Sequence, residues 1–211
     1  MEGSGGGKSA AASGRAGRKP STSAVELERV AFELFERHGF EATTVEDIAA
    51  EVGVSKRTFF RYFESKNDVV WGNFTEQLQG MRELFAQCPP DQPVIDAVRT
   101  VVIEFNRFDQ AHVPWHRKRM ELILKVPVLQ AHSTLRYRDW RAVVAEFVAA
   151  RLGGSVTDLL PQTVAHCALG AAVAGYEHWL ARPELDLAKV LDRTMRCLDT
   201  AFTGDLLPHR R

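Results

Sequence analysis

The segment Ser55–Lys66, SKRTFFRYFESK, combines side chains that are suited to contacting nucleic acid. Four aromatic rings occupy five consecutive positions, interrupted only by Arg61. Lysine and arginine donate hydrogen bonds to phosphate oxygens, and both match the N7 and O6 acceptors of guanine in the major groove. The segment therefore raises the question of how apolar rings and cations share so short a stretch.

A helix would separate the two kinds of side chain. At about 100° per residue, Phe59 and Phe63 fall on one face, and Arg57 and Arg61 fall together on the opposite face. Any surface helix has an apolar and a polar face, so this pattern fits a solvated helix as well as a DNA-reading one. In the second case the rings, packed on Val30, Leu34, Ile48 and Val52, would hold the helix while its other face meets DNA.

The positive charge is local rather than general. The chain carries 27 Lys and Arg against 27 Asp and Glu. Residues 1–70 carry ten cations and eleven carboxylates, a net charge of −1, whereas residues 54–66 carry four cations and one carboxylate. A docking edge is thus indicated, without the overall basic charge of many DNA-binding domains.

The preceding sequence predicts the helices that position this edge. Ser23 and Glu26 form a capping-box pattern, and a helical period continues to Gly39. A short second helix begins at Thr43 or Thr44, and a third begins after Gly53, at Ser55. Two short helices joined by a tight turn with glycine are typical of a helix-turn-helix.

The strings AFELFERHGF and TTVEDIAAEVGVSKRTFFRYFESKNDVV resemble the helix-turn-helix domain of the TetR family of bacterial transcriptional regulators. The resemblance extends from about Val25 to Trp71. It implies base contacts by Lys56 and Arg57, phosphate contacts by Thr44, Thr58, Tyr62 and Lys66, and a further contact by Arg61. Many members have tyrosine where this chain has Phe60, which leaves that position only an apolar contact with sugar or a thymine methyl group.

The whole chain is predicted to be all-α. Residues 1–22 form a disordered basic arm that either reaches DNA or is an inert leader, residues 23–70 form a three-helix DNA-binding domain, and residues 71–211 form a larger helical domain. Further helices are expected at 64–86, 94–108, 113–129, 133–152, 159–181 and 186–202, with a break at Pro127. WGNF, VVIEFNRF, VPVLQAHSTLRYRDWR and YEHWLA also resemble TetR-type regulators encoded with the mycofactocin redox-cofactor system.

The family resemblance implies that the second domain binds a small-molecule effector. Candidate contacts are Phe105, Asn106, Trp115, Arg119, Met120, Arg136, Tyr137, Trp140 and Tyr176, with Phe108, Leu124 and Phe147 as further aromatic or apolar candidates. The basic stretches 116–119 and 136–141 are either solvated helix faces or an anion clamp. A clamp would suit the phosphates of an acyl-coenzyme A, a class of effector that several members of the family sense.

The resemblance also implies a homodimer formed through the last two long helices, and hence a palindromic DNA site. Leu187, Leu191, Leu198 and Phe202 share one face of the last helix, and the small residues of 169–175 permit close helix contact. Either feature alone is equally compatible with intrachain packing.

Other function classes have weaker support. Three separated cysteines and no long apolar run indicate a soluble cytoplasmic protein with no membrane partner. His116, His132, His166, Cys167 and His178 lack the spacing of a metal or catalytic motif, so neither an enzyme nor a metal site nor a cofactor is expected. The predicted function is a DNA-binding regulator, a repressor released by its effector; a ligand-responsive activator is the alternative, and an all-helical enzyme a more remote one.

Overall fold

The structure, a computed structural model, describes the chain from Ser23 to Ala201, and its side chains as far as Leu198. The predicted basic arm and Phe202 lie outside this range. The described residues form helices only, in agreement with the all-α prediction. The helices are α1 (Ala24–His38), α2 (Val45–Val52), α3 (Lys56–Phe59), α4 (Lys66–Trp71), α5 (Phe74–Ala86), α6 (Val94–Phe105), α7 (Val113–Lys125), α8 (Pro127–Leu152), α9 (Leu159–Leu180) and α10 (Leu187–Ala201).

Local capping sets the first three helices. The Ser23 hydroxyl accepts from the Glu26 amide at 3.1 Å and begins α1. Of the two threonines considered, Thr44 begins α2: its hydroxyl accepts from the Asp47 amide, and the Asp47 carboxylate accepts from the Thr44 amide. Thr43 is instead buried and donates to the Gly39 carbonyl at 2.8 Å.

The predicted helix 64–86 is wrong in one respect, because the structure divides it into α4 and α5 at Gly72. Gly72 has φ +55°, a left-handed conformation that strongly favours glycine. A Cβ atom there would lie 2.9 Å from Glu28 Oε2 and 3.1 Å from Arg119 Nη1. The helix therefore ends where it meets side chains that are distant in sequence.

The predicted helices 113–129 and 133–152 are also displaced, because Pro127 begins α8 instead of ending the helix before it. Proline is favoured in the first helical turn, where its missing N–H leaves no hydrogen bond unmade. As a result α8 is 26 residues long. It extends from the DNA-binding domain to the far end of the larger domain, where Arg151 donates to carbonyl oxygens of the α5–α6 connection.

A single hydrophobic core continues from α1 to α10. Helices α8, α9 and α10 form its centre in the larger domain, where α9 packs against both neighbours. Among the described residues, no helix combines the length and apolar character required to span a membrane.

The leucine stripe of the last helix packs mainly within the chain, which favours the intrachain interpretation. Leu187 and Leu191 are buried in the core, and Leu198 is half-buried. On α9, by contrast, His166, Gly170 and Ala174 are exposed at intervals of four residues and therefore share one face. Leu159, at the start of the same helix, is 84% exposed.

Candidate nucleic-acid interface and internal cavity

The predicted division of the recognition segment is confirmed. Phe59 is completely buried, and Phe63 lies beside it with ring centroids 5.7 Å apart. Lys56, Arg57 and Arg61 are exposed. The regular helix is short, and hydrogen bonds of the i→i+3 type continue the turn through Tyr62. The buried rings thus hold the cationic edge on the surface of the domain.

The two lysines among the predicted DNA contacts both have partners within the protein. The Lys56 ammonium group pairs with Glu46 on α2, and this ion pair is exposed. The Lys66 ammonium group donates to the carbonyl oxygens of Phe40 at 2.6 Å and Thr43 at 2.7 Å. Lys56 can leave the Glu46 carboxylate and bind DNA at little cost in free energy, because exposed ion pairs are weak. Lys66 stabilises the α1–α2 connection, and its movement would leave the carbonyl oxygens of Phe40 and Thr43 without this donor.

The remaining predicted contacts surround this edge. Thr44 is exposed at the beginning of α2, and Thr58 is half-buried beside Ser55, with hydroxyl oxygens 3.0 Å apart. Arg61 donates to the Tyr62 hydroxyl at 3.2 Å. Phe60 is 48% exposed, unlike its neighbour Phe59. The Phe60 ring is therefore accessible for the predicted apolar contact with a sugar or a thymine methyl group.

The larger domain provides most of the wall of a cavity of about 720 Å³. This volume is in the range of small-molecule sites, and its wall is mostly apolar and aromatic. Eight of the nine predicted effector contacts line it: Phe105, Asn106, Trp115, Arg119, Met120, Tyr137, Trp140 and Tyr176. Phe108 lines it as well, whereas Leu124 and Phe147 do not.

Arg136 is the predicted contact that lies elsewhere. Its guanidinium group donates to Asp68 Oδ1 at 2.6 Å, and His132 Nε2 lies 3.0 Å from the same oxygen. We call this group (Asp68, His132 and Arg136) the Asp68 bridge. It joins α4 of the DNA-binding domain to α8, whose residues Tyr137 and Trp140 line the cavity.

Of the two interpretations of the basic stretch 116–119, a helix face or an anion clamp, the structure favours the first, because consecutive helical side chains point about 100° apart. Arg117 lies over the Trp179 ring at 3.8 Å, and Lys118 pairs with Glu36. Within residues 116–119, only His116 and Arg119 line the cavity. In the second stretch, Arg138 pairs with the adjacent Asp139.

A buried polar chain crosses the cavity wall. The Tyr176 hydroxyl donates to Asn106 Oδ1 at 2.6 Å, and His116 Nε2 lies 2.8 Å from the Tyr176 oxygen. Because tyrosine has one proton to donate, His116 must carry its proton on Nε2 and donate it to Tyr176. Burial, together with the charge of Arg119, lowers the pKa of His116 to about 3, so the ring is neutral at pH 7.

This neutral histidine should make stability depend on pH. The unfolded chain binds a proton near the ordinary histidine pKa of 6.5, while the folded chain does not until about 3, so stability is complete above 6.5 and falls as pH decreases through this window. The slope can reach about 1.4 kcal/mol per pH unit. The free energy of unfolding can be measured by urea denaturation from about pH 7.5 to about pH 4.5, in steps of about one pH unit. It should fall less for His116→Gln than for the parent. His38→Gln, at an exposed histidine of α1, is the control; equal losses in all three proteins would contradict the prediction.

Sequence reasoning missed two further residues of the cavity wall, Glu28 of α1 and Trp71 at the end of α4. Arg119 pairs with Glu28 Oε1, and Trp115 Nε1 lies 3.4 Å from the same oxygen. We call Glu28, Trp115 and Arg119 the Glu28 bridge. A glutamate on α1 has no local signal for this role, since its partners lie about ninety residues further along the chain.

Among the described residues, no group of three or more His, Cys, Asp or Glu side chains is arranged to hold a metal ion. The cysteines Cys88, Cys167 and Cys197 are unpaired as disulfides. The cavity wall offers apolar surface, hydrogen-bonding groups and one arginine, Arg119.

Comparisons with known proteins agree with this arrangement. Residues 29–70 match the family described as bacterial regulatory proteins, tetR family, and residues 92–203 match the MftR C-terminal domain. The chain is 44% identical, over 84% of its length and 89% of the relative's, to a Mycobacterium tuberculosis protein named as the mycofactocin biosynthesis transcriptional regulator MftR.

Solved structures share the fold at low sequence identity. A TetR-family regulator from Syntrophomonas wolfei has a TM-score of 0.63 at 13% identity, covering 88% of this chain and 97% of that one. Thermus thermophilus FadR, a repressor solved in complex with lauroyl-CoA, has a TM-score of 0.55 at 23% identity, covering 90% of this chain and 100% of that one.

Proposed function

This chain belongs to the TetR family of bacterial transcriptional regulators, and from that premise we propose that it is a homodimeric repressor released from a palindromic operator by an effector in the cavity. The observation that carries the proposal is the composition of the cavity wall. Glu28 of α1 and Trp71 of α4 line the same space as Tyr137 and Trp140 of α8. An effector would thus touch both domains and favour one of their relative positions over another.

The proposed effector is an acyl-coenzyme A. The mostly apolar wall suits an acyl chain, and Arg119 is the one arginine or lysine in the described wall. The Trp71 indole N–H is buried and has no acceptor among the described residues, so a thioester carbonyl could satisfy it. The lauroyl-CoA held by Thermus thermophilus FadR supports the same class of ligand.

The proposed dimer uses the exposed face of α9. Gly170 has open space where a Cβ would stand, and Ala174 continues the small surface one turn later, so a second helix can approach closely. A two-fold dimer would place two recognition helices about one turn of DNA apart, or a multiple of it. The regulator would act on DNA in the bacterial cytoplasm.

Footprinting on DNA upstream of the chain's own gene tests the proposed function. We expect a protected palindrome that is released by lauroyl-coenzyme A and is retained with coenzyme A alone. Protection of a palindrome that becomes stronger with the thioester would favour activation or co-repression instead. Absence of any thioester effect on DNA affinity or thermal stability would exclude the proposed effector class.

Replacing Arg57 by alanine should weaken the preferred operator by about 1–3 kcal/mol and reduce discrimination among bases, because a bidentate contact with guanine is lost. Fluorescence anisotropy with the selected operator and with single-base variants measures both effects. Arg107→Ala removes another exposed arginine, one outside the DNA-binding domain, and should leave binding unchanged. If Arg57→Ala binds all these sequences as the parent does, Arg57 is not a base contact.

A further inference from the structure

The Glu28 bridge places an internal carboxylate on the cavity's arginine. Glu28 and Arg119 are 19% and 15% exposed, and both line the cavity. His116, the neighbouring lining imidazole, is neutral because its pKa is lowered to about 3. Arg119 is the one arginine or lysine in the described wall, and in this structure it is paired with Glu28.

The position of this ion pair links it to three helices. Gly72, at the end of α4, lies against it so closely that a Cβ atom would strike both partners. The Arg119 guanidinium group also lies 5.5 Å from the centroid of Phe32, a buried residue of α1. Loss of the pair would thus break a contact between α7 and the DNA-binding domain.

We propose that Glu28 is a built-in competitor for the anionic group of the effector, and that an anionic ligand displaces it from Arg119. This inference rests on the proposed function for the presence of an effector. It adds the residue that makes the response depend on negative charge. Other links between the same helices, such as the Lys118–Glu36 pair, lie outside the cavity wall.

The exchange has a direct consequence for the position of α1. Arg119 retains an anionic partner after the exchange, whereas Glu28 keeps only the long contact with Trp115 Nε1 at 3.4 Å. A carboxylate that is mostly buried without a cation is unfavourable, so Glu28 gains by moving toward water. Because Glu28 is fixed to α1, this movement carries the DNA-binding domain with it, and an uncharged ligand would not produce it.

The test compares decanoate with decanol, two ligands of equal chain length that differ in charge. Binding is read from the fluorescence of Trp71, Trp115 and Trp140, which line the cavity. In the full-length Glu28→Gln variant the competitor is gone, and we expect the Kd for decanoate to fall about tenfold while the Kd for decanol changes less than about twofold, since only the anion competed.

The control is Glu36→Gln, which removes the other glutamate that joins α1 to α7 but lies outside the cavity. Both ligands should bind this variant as they bind the parent. Arg119→Met provides an independent arm, because it leaves Glu28 in place without its cation. The Kd for decanoate should rise by at least about tenfold, whereas the Kd for decanol should not change. This arm tests whether Arg119 is the partner of the anion. If Glu28→Gln does not fold, Glu28→Asp replaces it, because the shorter carboxylate reaches Arg119 less well and should likewise tighten decanoate binding without affecting decanol.

An equal gain for both ligands in Glu28→Gln, or no gain for decanoate, overturns the inference, as does failure of decanoate to bind that variant. Lauroyl-coenzyme A separates this result from the proposed function. If Glu28→Gln binds decanoate more tightly than the parent does, while lauroyl-coenzyme A does not affect the parent, Glu28 competes with anions but the proposed effector class is wrong. If lauroyl-coenzyme A affects the parent but the variants do not show the expected changes in decanoate binding, the effector class is supported and Glu28 is not a competitor.

Discussion

Phe59→Ala is expected to destabilise the DNA-binding domain by about 3–5 kcal/mol, the usual cost of removing a fully buried phenylalanine side chain. Phe59 has no exposed surface and packs between the rings of Phe60 and Phe63. The adjacent cations lie on the face opposite to this ring, so their spacing depends on it. Operator binding should therefore be lost together with the fold of the domain.

Phe60→Ala is the matched control, because it removes the same side chain one position later. Phe60 is 48% exposed and touches Phe59 edge to face. Its removal should cost no more than about 1.5 kcal/mol, the value of an aromatic pair. Urea denaturation followed by circular dichroism, with DNA affinity measured in parallel, separates the two. If Phe60→Ala is as unstable as Phe59→Ala, the assignment of buried and exposed rings is wrong.

Asp68→Ala is expected to cost about 2–4 kcal/mol, somewhat less than the ~3–5 kcal/mol for breaking a fully buried ion pair, because its partners are partly exposed. The Asp68 carboxylate accepts from the Ser65 hydroxyl at 2.6 Å in addition to the His132 and Arg136 contacts. Its removal takes this partner from three groups, the Ser65 hydroxyl, the His132 ring and the Arg136 guanidinium group. It also disconnects α4 from α8, so effector binding should alter operator affinity less than in the parent.

The same residue should give an acid-dependent signature. Burial opposes the charged form of Asp68, but hydrogen bonds from Ser65 and Arg136 and the charge of His132 outweigh it and hold the pKa below the ordinary aspartate value of 3.8. The folded state therefore binds its proton later than the unfolded state as pH falls. The stability contributed by this carboxylate is present above pH 3.8 and is lost as pH decreases through the lower folded pKa.

The difference between the parent and Asp68→Ala should consequently shrink as the pH is lowered below about 4, which urea denaturation at several pH values measures. Asp139→Ala serves as the control, since it removes a half-buried aspartate that pairs with the adjacent Arg138 on the same helix, α8. That variant should lose less than about 0.5 kcal/mol at pH 7 and should retain the effector response. A full effector response in Asp68→Ala would show that the Asp68 bridge does not transmit the signal.

Sequence reasoning was most successful where the determining interactions are local. Helix periodicity and the Ser23 and Thr44 caps are set by residues within four positions of each other, and the structure has the helices they predict. The separation of Phe59 and Phe63 from Arg57 follows from helical geometry alone. The choice between Thr43 and Thr44 required the structure, because both can cap and only one is buried against the Gly39 carbonyl.

The sequence by itself determined the all-helical class and the cationic edge, since these depend on residue type and period. Its resemblance to the TetR family implied a regulator and the effector contacts, most of which line the cavity. The tertiary structure decided the break at Gly72, the diversion of Arg136 to Asp68 and the pairing of Glu28 with Arg119. Each of these joins groups that are about fifty to ninety residues apart. Electrostatic partners at such separations depend on how the helices pack, and no local pattern in the chain records them.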